Sequence, residues 1–162
     1  MQISRTEDAL VLAGLDLFLA ELLRQIPASA DPADNAAARE RLLSKPYSDD
    51  ARLNEEWEEY VQPDLLQHFQ DANETVKDDL ACIESGDESD SDGYRLSIPR
   101  PHFERWLNSL NQARLALAAR HEFSDKELER DLSMALDNAR DLGLFQIHFY
   151  GLIQECIVRE LS

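Results

Sequence analysis

The chain has 162 residues, of which 43% are hydrophobic and 30% charged. That balance supports a folded core and excludes a collagen, a mucin-like stalk and a wholly disordered acidic chain. Acids outnumber lysine and arginine by 33 to 16, a formal net charge of −17. Such a field repels phosphate backbones and anionic bilayer surfaces, so neither nucleic acid nor membrane is an expected partner.

The N-terminus imitates a secretory signal. Arg5 precedes the apolar stretch Ala9 to Leu15, and Ala28-Ser29-Ala30 looks like a cleavage site. Asp16, Glu21 and Arg24 interrupt the apolar region, and Glu7 and Asp8 make its head acidic. The segment therefore reads as part of the fold, and the expected location is cytoplasmic. No stretch approaches the roughly 20 apolar residues of a membrane span.

Residues 2–12 read as a β-hairpin, with Gln2 to Arg5 and Leu10 to Leu12 flanking Thr6, Glu7 and Asp8. A lone hairpin is unstable, so it needs helices or another strand. Tyr94 to Ile98 is the candidate third strand, with Tyr94, Leu96 and Ile98 on one face. A helix is expected over 15–26, where Leu15, Phe18, Leu19, Leu22, Leu23 and Ile26 make one apolar stripe that Pro27 closes. A second helix is expected from Asp31, with Pro32 at its first position, to Leu43. A third helical region covers 49–84. Its apolar face is Leu53, Trp57, Tyr60 and Val61 before Pro63, and Leu65, Phe69, Ala72, Val76, Leu80 and Ile83 after it, as expected if the helix kinks or restarts there.

Residues 85–93, SGDESDSDG, contain no apolar residue and read as a mobile acidic loop. Glu88, Asp90, Asp92 and Gly93 mimic the start of a calcium loop. Its twelfth position is Pro99 where a bidentate Glu is needed, so no metal is expected there. A strong helix follows over 101–121. Next comes a helix capped by Ser124 and Glu127 and carrying Leu128, Leu132 and Ala135. The last helix, over 142–161, is apolar on most of its circumference and so is expected to be central or to lie in a subunit interface. Cys82 and Cys156 belong to no CxxC pattern and read as two buried free thiols, with a single disulfide as the other reading.

Motifs for phosphate cradling, a serine elbow, a zincin helix and a di-iron bundle are all absent. No cofactor is expected. On the helix 101–121, Arg114 lies in the middle of the stripe formed by Phe103, Trp106, Leu107, Leu110 and Leu117, and His121 lies at its end. An arginine there must meet a carboxylate or helix C-terminal carbonyls, since an unpaired buried charge costs several kcal/mol. It is either an internal ion pair fixing helix register or an anion-binding group. Near the helix end, His121 suits a dipole or cap role. Asn108 and Asn111, which flank the stripe beside Gln112, read as helix-surface polar contacts, with ligand binding as the other reading. His148, Glu155 and Arg159 form the narrow polar strip of the last helix, with Glu155 and Arg159 an i,i+4 pair. Trp57 and Tyr60, ringed by Glu55, Glu56, Glu58 and Glu59, are either core aromatics beneath a solvated face or a hot spot for a basic partner.

Four segments carry a family resemblance: ISRTEDALVLAGLDLFLAELLRQIP, LNEEWEEYVQPDL, WLNSLNQARLAL and YGLIQECIVREL. Together they resemble an uncharacterised bacterial family of unknown function whose members are often encoded beside the ClpS protease adaptor. The resemblance implies a cytoplasmic bacterial protein with a hint toward regulated proteolysis, and it brings no catalytic residues. The family's LNxxRL pattern falls on Leu110, Asn111, Arg114 and Leu115.

The expected fold is mainly α. It is a single-domain bundle of five or six helices over 1–162, with a small N-terminal β-hairpin and a third strand near 94–98. The function that fits best is a non-enzymatic interaction or regulatory module. Its acidic surface at Trp57, Tyr60, Glu55, Glu56 and Glu59 engages a basic protein, and its last helix supports a homodimer. The alternative is a ligand-binding protein or enzyme with a polar pocket around Arg114, His121 and His148, with Asn111, Glu155 and Arg159 as further binding candidates. A DNA mimic is a third reading, which would need acids spaced like phosphates along one face.

Overall fold

The computed structural model describes residues 1–31, 49–85, 93–129 and 136–162. The hairpin is present: β1 (Gln2–Arg5) runs antiparallel to β2 (Ala9–Leu15), with Ile3 opposite Leu12. A two-residue β3 (Glu84–Ser85) and the expected third strand, β4 (Tyr94–Pro99), complete the sheet in the order β1-β2-β4-β3. Leu10 lies opposite Ile98 and Leu12 opposite Leu96, and all four are buried. Alternation along β4 puts Leu96 and Ile98 on the core face while Arg95 and Ser97 face out.

The sheet corrects the first helix. Leu15 was expected to open it, yet Leu15 ends β2 opposite Tyr94, beyond a register shift that begins at Leu12. A continuous apolar run fits either structure, and pairing with β4 decides it here. Gly93 makes the bulge feasible: its φ is +72°, and a Cβ on it would lie 2.4 Å from the Leu15 carbonyl oxygen. Asp16 then caps α1 (Leu17–Arg24) by accepting from the Leu19 amide at 2.8 Å. Pro27 does not close this helix. It sits in the first turn of a separate short α2 (Ile26–Ala30), where a missing N–H costs nothing. The helix expected over 31–43 lies outside the described residues beyond Asp31.

Asp50 caps α3 (Ala51–Tyr60), which ends at Val61, and α4 (Gln62–Ala81) starts with Pro63 in its first turn. The shift of the apolar face at Pro63 is thus a break between two helices. A 3₁₀ turn (Arg100–His102) leads into α5 (Phe103–Arg120). The capping box of Ser124 and Glu127 opens α6 (Asp125–Leu128). Leu132, Ala135 and most of the acidic loop, residues 86–92, lie outside the described residues. Asn138 caps α7 (Ala139–Leu161) by accepting from Asp141. Both cysteines are free, but Cys82 is exposed where α4 ends, and only Cys156 is partly buried.

The central helix is α5, packed by α2, α4 and α7. It buries Phe103, Trp106, Ser109, Leu110, Gln112, Ala113, Ala116, Leu117 and Ala118. The last helix is therefore not the centre. α7 buries one face, from Gly143 to Ile157, and leaves Leu152, Val158 and Leu161 exposed. Two buried polar groups lock neighbouring helices to this core. The Tyr150 hydroxyl donates to the Leu22 carbonyl at 2.6 Å, and Asp79 accepts from the Trp106 indole at 2.8 Å. Glu160 pairs with both Arg5 and Arg100, joining the end of α7 to the sheet.

Candidate functional site

α3 is a helix with no buried residue, and it packs chiefly on α4. Its inward turn is Asn54, Trp57 and Glu58. Trp57 rests in a small satellite cluster with Leu65, Leu66, Phe69, Leu115, Ala116 and Ala119. Trp57 thus follows the core reading in part. Tyr60 does not: it is 68% exposed, with Leu53 and Val61 also exposed beside it. Tyr60 is the last residue of the helix, with Val61 its C-cap. Glu55, Glu56 and Glu59 are exposed around these side chains, and Glu56 pairs with Arg52 at 3.7 Å. The expected interaction residues therefore share one small helix with a mixed apolar and acidic surface.

Arg114 lies half-buried in the seam between α5 and α7. It meets no carboxylate among the described residues. Its Nε donates to the Ile147 carbonyl at 3.2 Å and its Nη1 to Gln154 Oε1 at 2.6 Å. The guanidinium crosses α7 at Gly151, where a Cβ would stand 3.2 Å from Cζ. Burial pulls its pKa below the ordinary arginine value. The arginine bolts α5 to α7 through hydrogen bonds, which replaces the expected counter-charge.

His121 ends α5, and its ring packs on Gly143 and Phe123. Burial, followed by Arg120 and Arg140, holds its pKa below the usual histidine value. His148 is partly buried, and its Nε2 is sealed without a partner. Neither histidine bonds to Arg114 among the described residues. Asn111 is exposed, as are Glu155 and Arg159, which form their expected ion pair. Leu152 and Leu161 stand about 180° apart at about 100° per residue, so they do not share one outer stripe.

A groove of about 580 Å³ opens elsewhere, between α2 and α4 over α5. Pro27, Ala28, Leu66 and Phe69 give it apolar walls, and Gln112 lies in its floor. Gln112 is 2% exposed. The groove includes none of Arg114, His121 or His148. Its sequence signal was the run of small residues Ser109, Ala113 and Ala116 beside Gln112, which lets a second helix approach α5 closely.

A second feature that the sequence did not single out is Asp79. Its side chain is 11% exposed, and besides Trp106 it accepts from His102 Nδ1 at 2.8 Å. Among the described residues no group of three or more His, Cys, Asp or Glu is placed to hold a metal ion. None of their helices is long and apolar enough to cross a membrane. A family model described as a domain of unknown function matches residues 4–161. No curated protein and no solved structure matches the chain.

Proposed function

We propose, for a chain that belongs to the domain-of-unknown-function family DUF2017, a non-enzymatic interaction role in which α3 docks a basic protein surface. The observation that carries this reading is the state of α3: an ordered helix that buries none of its residues and leaves Tyr60 68% exposed among glutamates. An exposed aromatic inside a charged rim is the composition of an interface hot spot. The net charge of −17 adds long-range attraction for a basic partner, which raises the association rate more than the final affinity. Regulated proteolysis is the setting we propose, on the resemblance to a family found beside the ClpS adaptor.

The test compares wild-type chain with Tyr60→Ala and with Glu55→Gln/Glu56→Gln/Glu59→Gln as baits in native cytosol at low and high salt. Support is a basic protein retained by wild type at low salt, and released by high salt and by both variants. An identical retained set for all three baits refutes the role of α3. Because α3 has no buried residue, these variants keep the core intact, and circular dichroism checks that they do.

A further inference from the structure

Gln112 presents a chemical problem that its surroundings do not solve. Its side chain is 2% exposed, and both its Oε1 and its Nε2 lack a hydrogen-bond partner. An amide buried in this state is destabilising unless something completes its bonds. The neighbouring polar groups are already used for structure. Asn73 Oδ1 accepts from the Ser109 hydroxyl at 2.7 Å, and Asn73 Nδ2 donates to the Pro27 carbonyl at 3.4 Å. Among the described residues that line the groove, Gln112 is the one whose side-chain amide is buried without a hydrogen-bond partner.

We propose that this groove is a small-molecule site for a neutral, planar ligand whose edge carries an N–H donor beside an acceptor, as in a nucleobase or a carboxamide. A glutamine amide offers one acceptor and one donor side by side, so such an edge forms two parallel hydrogen bonds with it. The walls suit a flat ring. Phe69 and Leu66 face it from α4, and Pro27 and Ala28 from α2. At about 580 Å³ the groove falls within the roughly 300–1,000 Å³ of ligand pockets. Its rim balances Arg24 and Lys77 against Asp31 and Glu74, so it selects for neither sign of ligand charge. Leu66 and Phe69 also belong to the cluster that seats Trp57, so a ligand on this wall touches the support of α3. The site stands independently of the docking role of α3.

The experiment titrates uracil, nicotinamide and adenine separately into the ¹⁵N-labelled full chain and follows the Gln112 side-chain amide. Fragments of this size bind a matching site with Kd on the order of 1 mM or tighter. At least one probe is expected to shift the Gln112 amide saturably. In Gln112→Leu its affinity falls at least tenfold, while the thermal midpoint stays at or above that of wild type, because the variant removes an unpaired buried amide. Tyr60→Ala, outside the groove, keeps the binding. No saturable shift with any of the three probes overturns the proposal, and that is the outcome for an amide satisfied by water alone. Equal binding by Gln112→Leu overturns it as well. Should that variant not fold, the wild-type amide shift decides the question by itself.

Discussion

Tyr150→Phe removes a single oxygen from the centre of the protein. The ring is fully buried, and its hydroxyl donates to the Leu22 carbonyl at 2.6 Å and accepts from Gln146 Nε2 at 3.3 Å. Orphaning a buried polar group costs about 1–3 kcal/mol. Both neighbours keep another partner, however: the Leu22 carbonyl still accepts from the Gln25 amide, and Gln146 still donates to Gln25 Oε1 at 2.9 Å. The cost at neutral pH therefore falls near the lower bound, about 1 kcal/mol, which lowers Tm by about 2–4 °C in a domain of this size. The pH dependence makes the prediction sharper. Desolvation raises the Tyr150 pKa to about 12, against the opposing hydrogen bonds from Gln146 and Ser29. In the unfolded chain the phenol ionises near 10, so between about pH 10 and 12 the unfolded state loses its proton first and wild type loses stability as pH rises. The accumulated loss is about 1.4 kcal/mol at pH 11, enough to cancel the advantage of the hydroxyl. Urea denaturation followed by circular dichroism should show the two stabilities crossing near pH 11. A gap that keeps its size from pH 7 to 11 would refute the reasoning, as would a neutral-pH cost above about 3 kcal/mol.

Asp79→Ala strands the buried Trp106 indole N–H and should cost about 1–3 kcal/mol in urea denaturation, with Asp79→Asn milder because its amide oxygen still accepts. Gly93→Ala forces a side chain into a positive φ against the Leu15 carbonyl; it should lower Tm by several degrees, and an unchanged Tm would show that the bulge can relax. Gln154→Leu leaves the half-buried Arg114 short of its best acceptor, whereas Arg114→Met removes the charge altogether, so the former should destabilise more in the same assay. Raising ionic strength from about 0.01 M to 0.15 M shortens the screening length and should raise Tm by relieving the self-repulsion of a chain at −17, the opposite of its expected effect on partner binding.

The elements most legible in the sequence were those whose period is set locally. The alternation of Tyr94, Leu96 and Ile98 and the capping box at Ser124 both appear where they were read. Sequence pattern and structure part where tertiary contact decides. Leu15 continues an apolar run that suits strand or helix, and only pairing with Tyr94 assigns it. α7 carries enough apolar residues to be a central helix, but α5 occupies the centre because its small residues admit neighbours on more than one side. At the candidate sites, the aromatic and acidic composition of α3 was legible, while the exposure of Tyr60 was not. Arg114 was recognised as needing a partner, but mid-helix carbonyl and amide acceptors leave no trace in spacing. The burial of Gln112 has no mark in the sequence, because it depends on the approach of α2 and α4.

The pairing of β2 with β4 also dictates an order of events on the ribosome. Leu10 meets Ile98, a partner 88 residues further along the chain. At about 5–20 residues per second, translation takes roughly 4–18 s to deliver that partner. Until then Leu10, Leu12 and Leu15 belong to a two-stranded hairpin that is not stable by itself. Glu7 and Asp8 on one side of this stretch and Asp16 and Glu21 on the other are placed as gatekeepers. Charges in these positions oppose edge-to-edge pairing of one unfinished hairpin with another.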